Sequence, residues 1–238
     1  MGPGYVRYED SQQLDDVTRY RSLVGALLYI SVTARPDIAA SVSFLGRRVS
    51  QPTVNDWKAA KRVLRYLKGT KQLKLMFGPG EAWLLKGYSD ADWAGDHNSR
   101  KSTTEYIFLY GAGPINWVSR RQSSVTLSSM EADYVALSDT CQELIWIRQL
   151  MADLGEVPQG ATPVFEDNQS CLSFVQAERT SKRSKHIDTR QHFIRDLSDQ
   201  NEVELVYCPT DLMVADVLTK PLGAVKFGQQ LERLGLLI

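Results

Sequence analysis

A mixed α/β fold, preceded by a small helical unit, is what this sequence predicts, and three observations carry that expectation. In the front third, apolar residues recur at helical spacing. From about residue 72 onward, short β-rich runs separated by Gly, Pro, Asp and Asn alternate with helical stretches. Their order, strands, then a long helix, a strand, helices, a strand and a helix, implies a mixed sheet with helices packed on it. No internal repeat or low-complexity tract competes with that pattern.

Taken in order, Tyr20, Leu23, Leu27, Leu28 and Ile30 mark a first helix, interrupted by Pro36. Pro36 suits the first turn of a second helix carrying Ile38, Val42, Phe44 and Leu45. Thr53 with Asp56 has the form of a capping box opening a third helix through Trp57, Val63, Leu64 and Leu67, which Gly69 closes. Arg62, Arg65 and Lys68 decorate that helix. Short β-rich runs follow at 73–77, 82–89, 104–110 and 115–119. A long helix over 129–154 ends at Gly155, before a strand at 162–166 and a helix at 170–176. A further helix spans 185–200, a strand 203–208, and a helix at 213–219 is stopped by Pro221. A last amphipathic helix contains Phe227, Leu231 and Leu234. The expected organisation is a helical segment over 1–71, a sheet domain over 72–222 and a terminal helix over 223–238.

With 238 residues there is room for one large domain or two small ones, and for a sizeable core without staples. Hydrophobic content of 43% beside 24% charged residues is ordinary for a soluble globular chain. Cys141, Cys171 and Cys208 are widely spaced and form no CxxC pair, which argues for a reducing compartment and against a zinc site or disulfide framework. A cytoplasmic setting is therefore expected. The apolar run 23–32 is too short to span a bilayer and is broken by Gly25 and Ser31, so no membrane role is expected. The opening 1–6 has no charged n-region, and Val6 weakens a myristoylation reading of Gly2. Net charge is zero, but it is unevenly spread: residues 17–74 hold twelve Lys/Arg against two acidic residues, Asp37 and Asp56. A basic front joined to an acidic back suits a nucleic-acid grip beside a metal-binding site, and equally a merely solvated basic helix face.

Four carboxylates carry the chemical interest. Asp90 sits in KGYSDADW at the end of a strand-like run, where Asp is disfavoured because it competes for backbone groups; a turn over 89–92 is the plain alternative. Glu131 lies in SSMEADY at the start of the longest helix, where Ser128-x-x-Glu131 also fits a capping box. Asp133, two residues on, is expected on a different, solvated helix face. Asp167 follows VFE and precedes a helix start, so it also reads as an N-cap. Asp216, in VADVLTKPL, also reads as an acid favouring a helix N-terminus. Element ends in one α/β domain can converge on one sheet edge. Carboxylates that converge repel unless a divalent cation holds them, and all-oxygen donors favour Mg²⁺ or Mn²⁺ over zinc.

GYSDADWAGD (87–96), RKST (100–103), INWVSRRQSSVTLSSMEADYVAL (115–137), EDNQS (166–170), SKHIDTRQHFIR (184–195) and VADVLTKPL (214–222) together resemble the ribonuclease H domain of copia-type retrotransposon polyproteins. Residues 20–70 resemble the reverse-transcriptase thumb or connection segment that precedes it there. The resemblance covers nearly the whole chain after the first fifteen or so residues. It implies a ribonuclease H-like fold with a five-stranded mixed sheet flanked by helices. It also implies metal-dependent cleavage of the RNA strand of RNA·DNA hybrids, with two Mg²⁺ ions held by Asp90, Glu131, Asp167 and Asp216. One ion then positions the attacking water and the other steadies the scissile phosphate, leaving a 5′ phosphate and a 3′ hydroxyl. The partners implied are an RNA·DNA hybrid and the polymerase part of the same polyprotein, working in the cytoplasm or inside virus-like particles.

Two departures stand out. The histidine that cellular relatives often carry before the last carboxylate is missing from 208–215, and His186 in KHID reads as structural or phosphate-facing. No Tyr-x-Asp-Asp palm signature occurs, so DNA synthesis is not expected. A hybrid shows 2′-hydroxyls on one strand only, so groups that hydrogen-bond them select RNA. Ser89, Ser129, Asn168 and Gln169 flank the carboxylates and are candidates for that task; Arg100, Lys101, Arg120 and Arg121 are candidate phosphate contacts. Capping and surface solvation are the competing readings. The alternatives to a nuclease are a non-catalytic nucleic-acid-binding remnant or domesticated module, and an integrase core of the same fold.

Overall fold

The computed structural model describes residues 11–78, 83–96, 98–111, 113–177, 185–218 and 222–237, with the side chains of 185–188 outside that description. Three helices open the chain: α1 (Val17–Thr33), α2 (Ala39–Gly46), entered through a 3₁₀ turn at Pro36–Ile38, and α3 (Val54–Gly69). Each start has a local cause. Asp16 accepts from the Arg19 N–H, Pro36 leads the 3₁₀ turn, and Thr53 and Asp56 form the reciprocal capping box expected of them. Their apolar faces meet in one core of Tyr20, Val24, Leu27, Ile38, Val42, Leu45, Ala60 and Val63. The Tyr20 hydroxyl reaches the Leu45 carbonyl at 2.9 Å, which satisfies the one polar atom of that buried ring.

Strands β2 (Lys86–Asp92), β3 (Thr103–Tyr110), β4 (Gly113–Arg121), β5 (Thr162–Glu166) and β6 (Val203–Tyr207) form one sheet in the order β4-β3-β2-β5-β6. β3 runs antiparallel to β2 and β4, while β5 runs parallel to β2 and β6. This is a five-stranded mixed sheet flanked by helices, as expected. The expected run at 73–77 is not part of it. Only β1 (Lys74–Leu75) forms there, and it pairs with the terminal β7 (Leu236–Leu237) in a separate two-stranded sheet. The run expected at 82–89 is displaced toward its C-terminal side, so Asp90 lies inside β2 rather than past its end. No turn forms at 89–92.

Alternation along the strands divides the core in two. Tyr106, Phe108 and Val164 face α4 (Ser129–Asp153), α5 (Gln169–Gln176) and α6 (Lys185–Asp199). Ile107, Leu109, Tyr88 and Phe165 face the opposite way, onto a 3₁₀ helix at Val214–Leu218, α7 (Ala224–Arg233) and Ala39 of the helical unit. The helix expected at 213–219 is thus a 3₁₀ turn. The helical unit packs directly on this second face: Trp117 of β4 donates its indole N–H to the Ser31 carbonyl at 2.7 Å.

α4 packs on β2 through small side chains, Ala91 against Ala132 and Ala136. Filling that contact forces backbone or rotamer shifts. Ala136→Leu is expected to lower the unfolding free energy by about 1–3 kcal/mol in urea titrations. An unchanged midpoint would show that α4 is free to move off the strand.

Candidate active site

The parallel ladder between β2 and β5 is short, pairing only Gly87 with Val164 and Tyr88 with Phe165. Beyond it the carboxyl ends of the two strands carry Asp90 on one side and Glu166 and Asp167 on the other. This is also where the strand order reverses, with β3 and β4 to one side of β2 and β5 and β6 to the other. In open α/β sheets such a switch point leaves a crevice in which ligands bind.

Asp90 is 3% exposed, and its Oδ1 accepts from the Ala91 N–H at 2.8 Å. Asp167 is half-buried just past β5, where its Oδ2 accepts from the Thr210 hydroxyl at 2.7 Å. It is not the cap of α5. Asn168 is: its Oδ1 accepts from the backbone N–H of Ser170 and Cys171, so Asp167 stays available to the crevice. Asp216 is buried in the 3₁₀ helix packed on β2 and β3, and Lys226 of α7 places its ammonium 3.4 Å from Oδ2.

Helix α4 departs from expectation. Ser128 is its N-cap, and the Glu131 carboxylate accepts from the Leu127 N–H at 2.7 Å, so Glu131 serves the helix terminus. Asp133, expected to be solvated, is instead buried and accepts from the Asn168 side-chain amide at 2.8 Å. It shares its helix face with Leu137, Thr140 and Leu144, all buried, at the i, i+4 and i+7 spacing that marks the packed side. That spacing was the signal for Asp133.

Glu166, also missed, is fully buried. Burial pushes its pKa well above the ordinary value of 4.5, and the charges of Asp133, Asp90 and Asp167 push it further. Its Oε1 accepts from the Asn168 N–H at 3.1 Å, while Oε2 is buried with no hydrogen-bond partner among the described residues. Asp90, Asp133, Glu166 and Asp167 therefore share one electrostatic neighbourhood. Among the described residues no three His, Cys, Asp or Glu side chains stand close enough together to enclose a metal ion.

The expected substrate contacts divide. Ser129 and Gln169 are exposed near the crevice, at the first turns of α4 and α5. Asn168 is committed to Asp133 and to capping α5. Ser89 faces α4 and is wholly buried, which removes it from contact with a duplex. Arg120 pairs with Asp139 at 3.1 Å and Arg121 with Asp96 at 2.9 Å; both side chains stay largely accessible, so a phosphate can compete for them. His186 lies where side chains fall outside the described residues.

The buried Glu166 has a measurable consequence. As pH rises above 4.5 the unfolded chain releases this proton while the folded chain keeps it, so Glu166 lowers stability increasingly with pH until its own raised pKa is passed. Glu166→Gln is therefore expected to stabilise the metal-free protein more at about pH 8 than at about pH 5 in urea unfolding. Parallel pH profiles for the two proteins would show that Glu166 is hydrated in solution.

No family model matches the chain. It is 40% identical over 217 residues, 91% of its length, to the retrovirus-related Pol polyprotein from transposon TNT 1-94 of Nicotiana tabacum, of which it covers 16%. It is 48% identical over 128 residues to the secreted RxLR effector protein 161 of Plasmopara viticola, covering 54% of this chain and 90% of that one. Among solved structures, the RNase H1 named LC11, isolated from compost by a metagenomic approach, aligns over 57% of this chain and 92% of its own at 18% identity and a TM-score of 0.43. The chain spans about one sixth of the length of the tobacco polyprotein. Along nearly its whole length the chain is thus similar to one segment of retrovirus-related Pol polyproteins from transposons, the Arabidopsis thaliana transposon RE2 polyprotein among them at 38% identity over 225 residues and 15% of its length.

Proposed function

We propose that this segment is the nuclease that cuts the RNA strand of RNA·DNA hybrids during reverse transcription of its element, with Mg²⁺ as cofactor. The observation that supports it best is the gathering of Asp90, Asp133, Glu166 and Asp167 at the switch point of a ribonuclease H-like sheet, with Asp216 on a helix packed against the same strands. The donors are all carboxylate oxygens, and one Glu166 oxygen is buried without a hydrogen bond among the described residues, which suits a hard divalent ion by chemistry. The acids that would have to draw closer to hold it are Asp90, Asp167 and Asp216, joined from α4 by Asp133 rather than Glu131, since among the described residues no three yet stand close enough to enclose an ion. When bound, the ions supply Lewis acidity to the attacking water and to the scissile phosphate.

The chain's own groups have definable tasks. Each of these carboxylates is answered by a protein donor: Ala91 N–H on Asp90, the Asn168 amide on Asp133, Thr210 on Asp167 and Lys226 on Asp216. These contacts hold the acids in place before an ion arrives, and some must yield to it. Ser129 and Gln169 at the crevice mouth are the candidates for reading 2′-hydroxyls, with Arg120 and Arg121 on phosphates. The rest of the polyprotein, with its polymerase, is the natural partner, and the cytoplasm or a virus-like particle the setting. No helix among the described residues is long and apolar enough to cross a membrane.

A radiolabelled RNA·DNA hybrid, double-stranded RNA and double-stranded DNA incubated with Mg²⁺ test the reading directly. RNA cleavage confined to the hybrid is expected. Binding without cleavage would mark a nucleic-acid-binding remnant instead, and DNA nicking or joining an integrase-like activity. Asp167→Asn is expected to abolish cleavage while hybrid affinity is retained, and Asp133→Asn to do the same. Glu131→Gln is expected to keep activity and to cost stability by about 1 kcal/mol, as a weakened helix terminus does. An inactive Glu131→Gln beside an active Asp133→Asn would return the catalytic role to Glu131.

A further inference from the structure

The acids gather at one end of the sheet, and the other end carries apolar side chains held in water. β3 passes into β4 through Gly111 and Gly113, about 20 Å of strand beyond Glu105, the residue opposite Asp90. Around that turn Met76, Phe77, Trp83, Leu84 and Ile115 all stay between 39% and 54% exposed. Scattered singly, such exposure is ordinary; gathered at one turn, it marks a contact surface.

The two rings are seated on the turn rather than loose. Trp83 lies on Gly111, whose φ of +56° suits glycine, and a Cβ there would overlap the indole. Phe77 lies on Gly113, where a Cβ would fall 2.6 Å from the ring. The indole also rests against Tyr110, with 5.3 Å between ring centroids. The backbone that carries Phe77 is tied on both sides: the Met76 N–H donates to the Gly235 carbonyl at 2.9 Å and the Gly78 N–H to the Gly111 carbonyl at 3.2 Å. Glycine costs backbone entropy, and here it holds two aromatic rings in fixed positions with about half of each in water. Rings already fixed lose little freedom when a partner covers them.

At this exposure the five side chains present on the order of 500 Å² of surface. A free-standing complex buries about 800 Å² on each partner, so the patch falls short of what a second copy of this chain needs. A partner joined through the same polypeptide needs less, because linkage raises its local concentration to about millimolar. The chain matches 16% of the tobacco polyprotein, and the remainder of such a polypeptide can supply that partner. We propose that this patch docks the polymerase part of the polyprotein, through an apolar surface on that part, and leaves the acid crevice at the far end of the sheet open to substrate. The inference rests on the reading of the polymerase part as this chain's partner and requires nothing of the cleavage chemistry.

Hydroxyl-radical footprinting read by mass spectrometry tests it, comparing the chain alone with the tobacco polyprotein carrying this chain in place of its own counterpart. Oxidation of Met76, Phe77 and Trp83 is expected to fall at least about threefold in the joined protein, as burial in an interface removes side chains from water. Trp93, 48% exposed at the acid end, is expected to stay equally reactive, and the buried Phe108 and Tyr134 to stay unlabelled in both, which reports an intact fold. Leu84→Lys, a charge added beside the rings, is expected to restore oxidation in the joined protein and to change nothing in the chain alone. Equal oxidation of the patch in the two parent proteins would overturn the proposal. So would protection of the chain alone that grows with its concentration, which would make the patch a self-contact, or that appears on adding RNA·DNA hybrid, which would make it a nucleic-acid surface. Hybrid cleavage is scored separately: its absence refutes the nuclease reading and leaves the footprint to decide the docking.

Discussion

The constraint on which this structure turns is the burial of carboxylates at the end of a sheet. Asp90, Glu105, Asp133, Glu166 and Asp216 are each removed from water in the folded chain. Taking a carboxylate out of water costs several kcal/mol unless charge or hydrogen bonds compensate. Much of the local architecture can be read as that compensation. Backbone N–H groups answer Asp90 and Glu166, the Asn168 amide answers Asp133, and Lys226 answers Asp216. A protein selected for stability alone would place apolar residues at such positions. Retaining acids there is what the proposed nuclease site would require.

Sheet topology explains why the acids meet. β2 is central, flanked by an antiparallel hairpin on one side and a parallel pair on the other, and its ladder with β5 ends after two residue pairs. Asp90 and Glu166 lie just past those two pairs, on neighbouring strand ends. Helix α4 then closes on β2 through Ala91, Ala132 and Ala136. Larger residues there would hold Asp133 farther from the strand and weaken its field at Glu166. Packing of three alanines and electrostatics of one helix are thus a single device.

The helical unit is joined to this device by more than chain connectivity. Its own core is complete, yet Trp117 binds the Ser31 carbonyl, Ala39 enters the sheet core, Tyr66 meets Phe227 at 6.0 Å between ring centroids, and Arg47 reaches Thr103 and Asp96. Apolar and polar contacts both cross the boundary. The buried ion pair of Arg35 with Asp37, completed by Thr70 and Tyr66, stiffens the unit at the end nearest α7. Of the twelve basic residues over 17–74, five are exposed on α3, whereas Arg35 and Arg47 have inward contacts.

Most of the fold was legible in the sequence, because helical and strand periodicities, Pro36, the Thr53–Asp56 box and the Ser128 cap are local signals that act within a few residues. Asp90 and Asp167 were legible for the same reason, as acids at odds with their surroundings. What sequence alone did not decide was everything that depends on how distant faces are brought together. It did not show that 74–75 would pair with the last residues rather than join the main sheet, because strand pairing is non-local. Nor did it show that Asn168 rather than Asp167 would cap α5, or that Glu131 would turn back to its helix end while Asp133 turned inward. The same five-residue stretch, Glu131 to Val135, offers both acids to a helix start; helical spacing with Leu137, Thr140 and Leu144 marks Asp133 as the packed one, and its partner Asn168 is supplied by the distant start of α5. Compensation at a buried site is a property of three-dimensional neighbours: the Asn168 amide that answers Asp133 stands 35 residues from it in the chain.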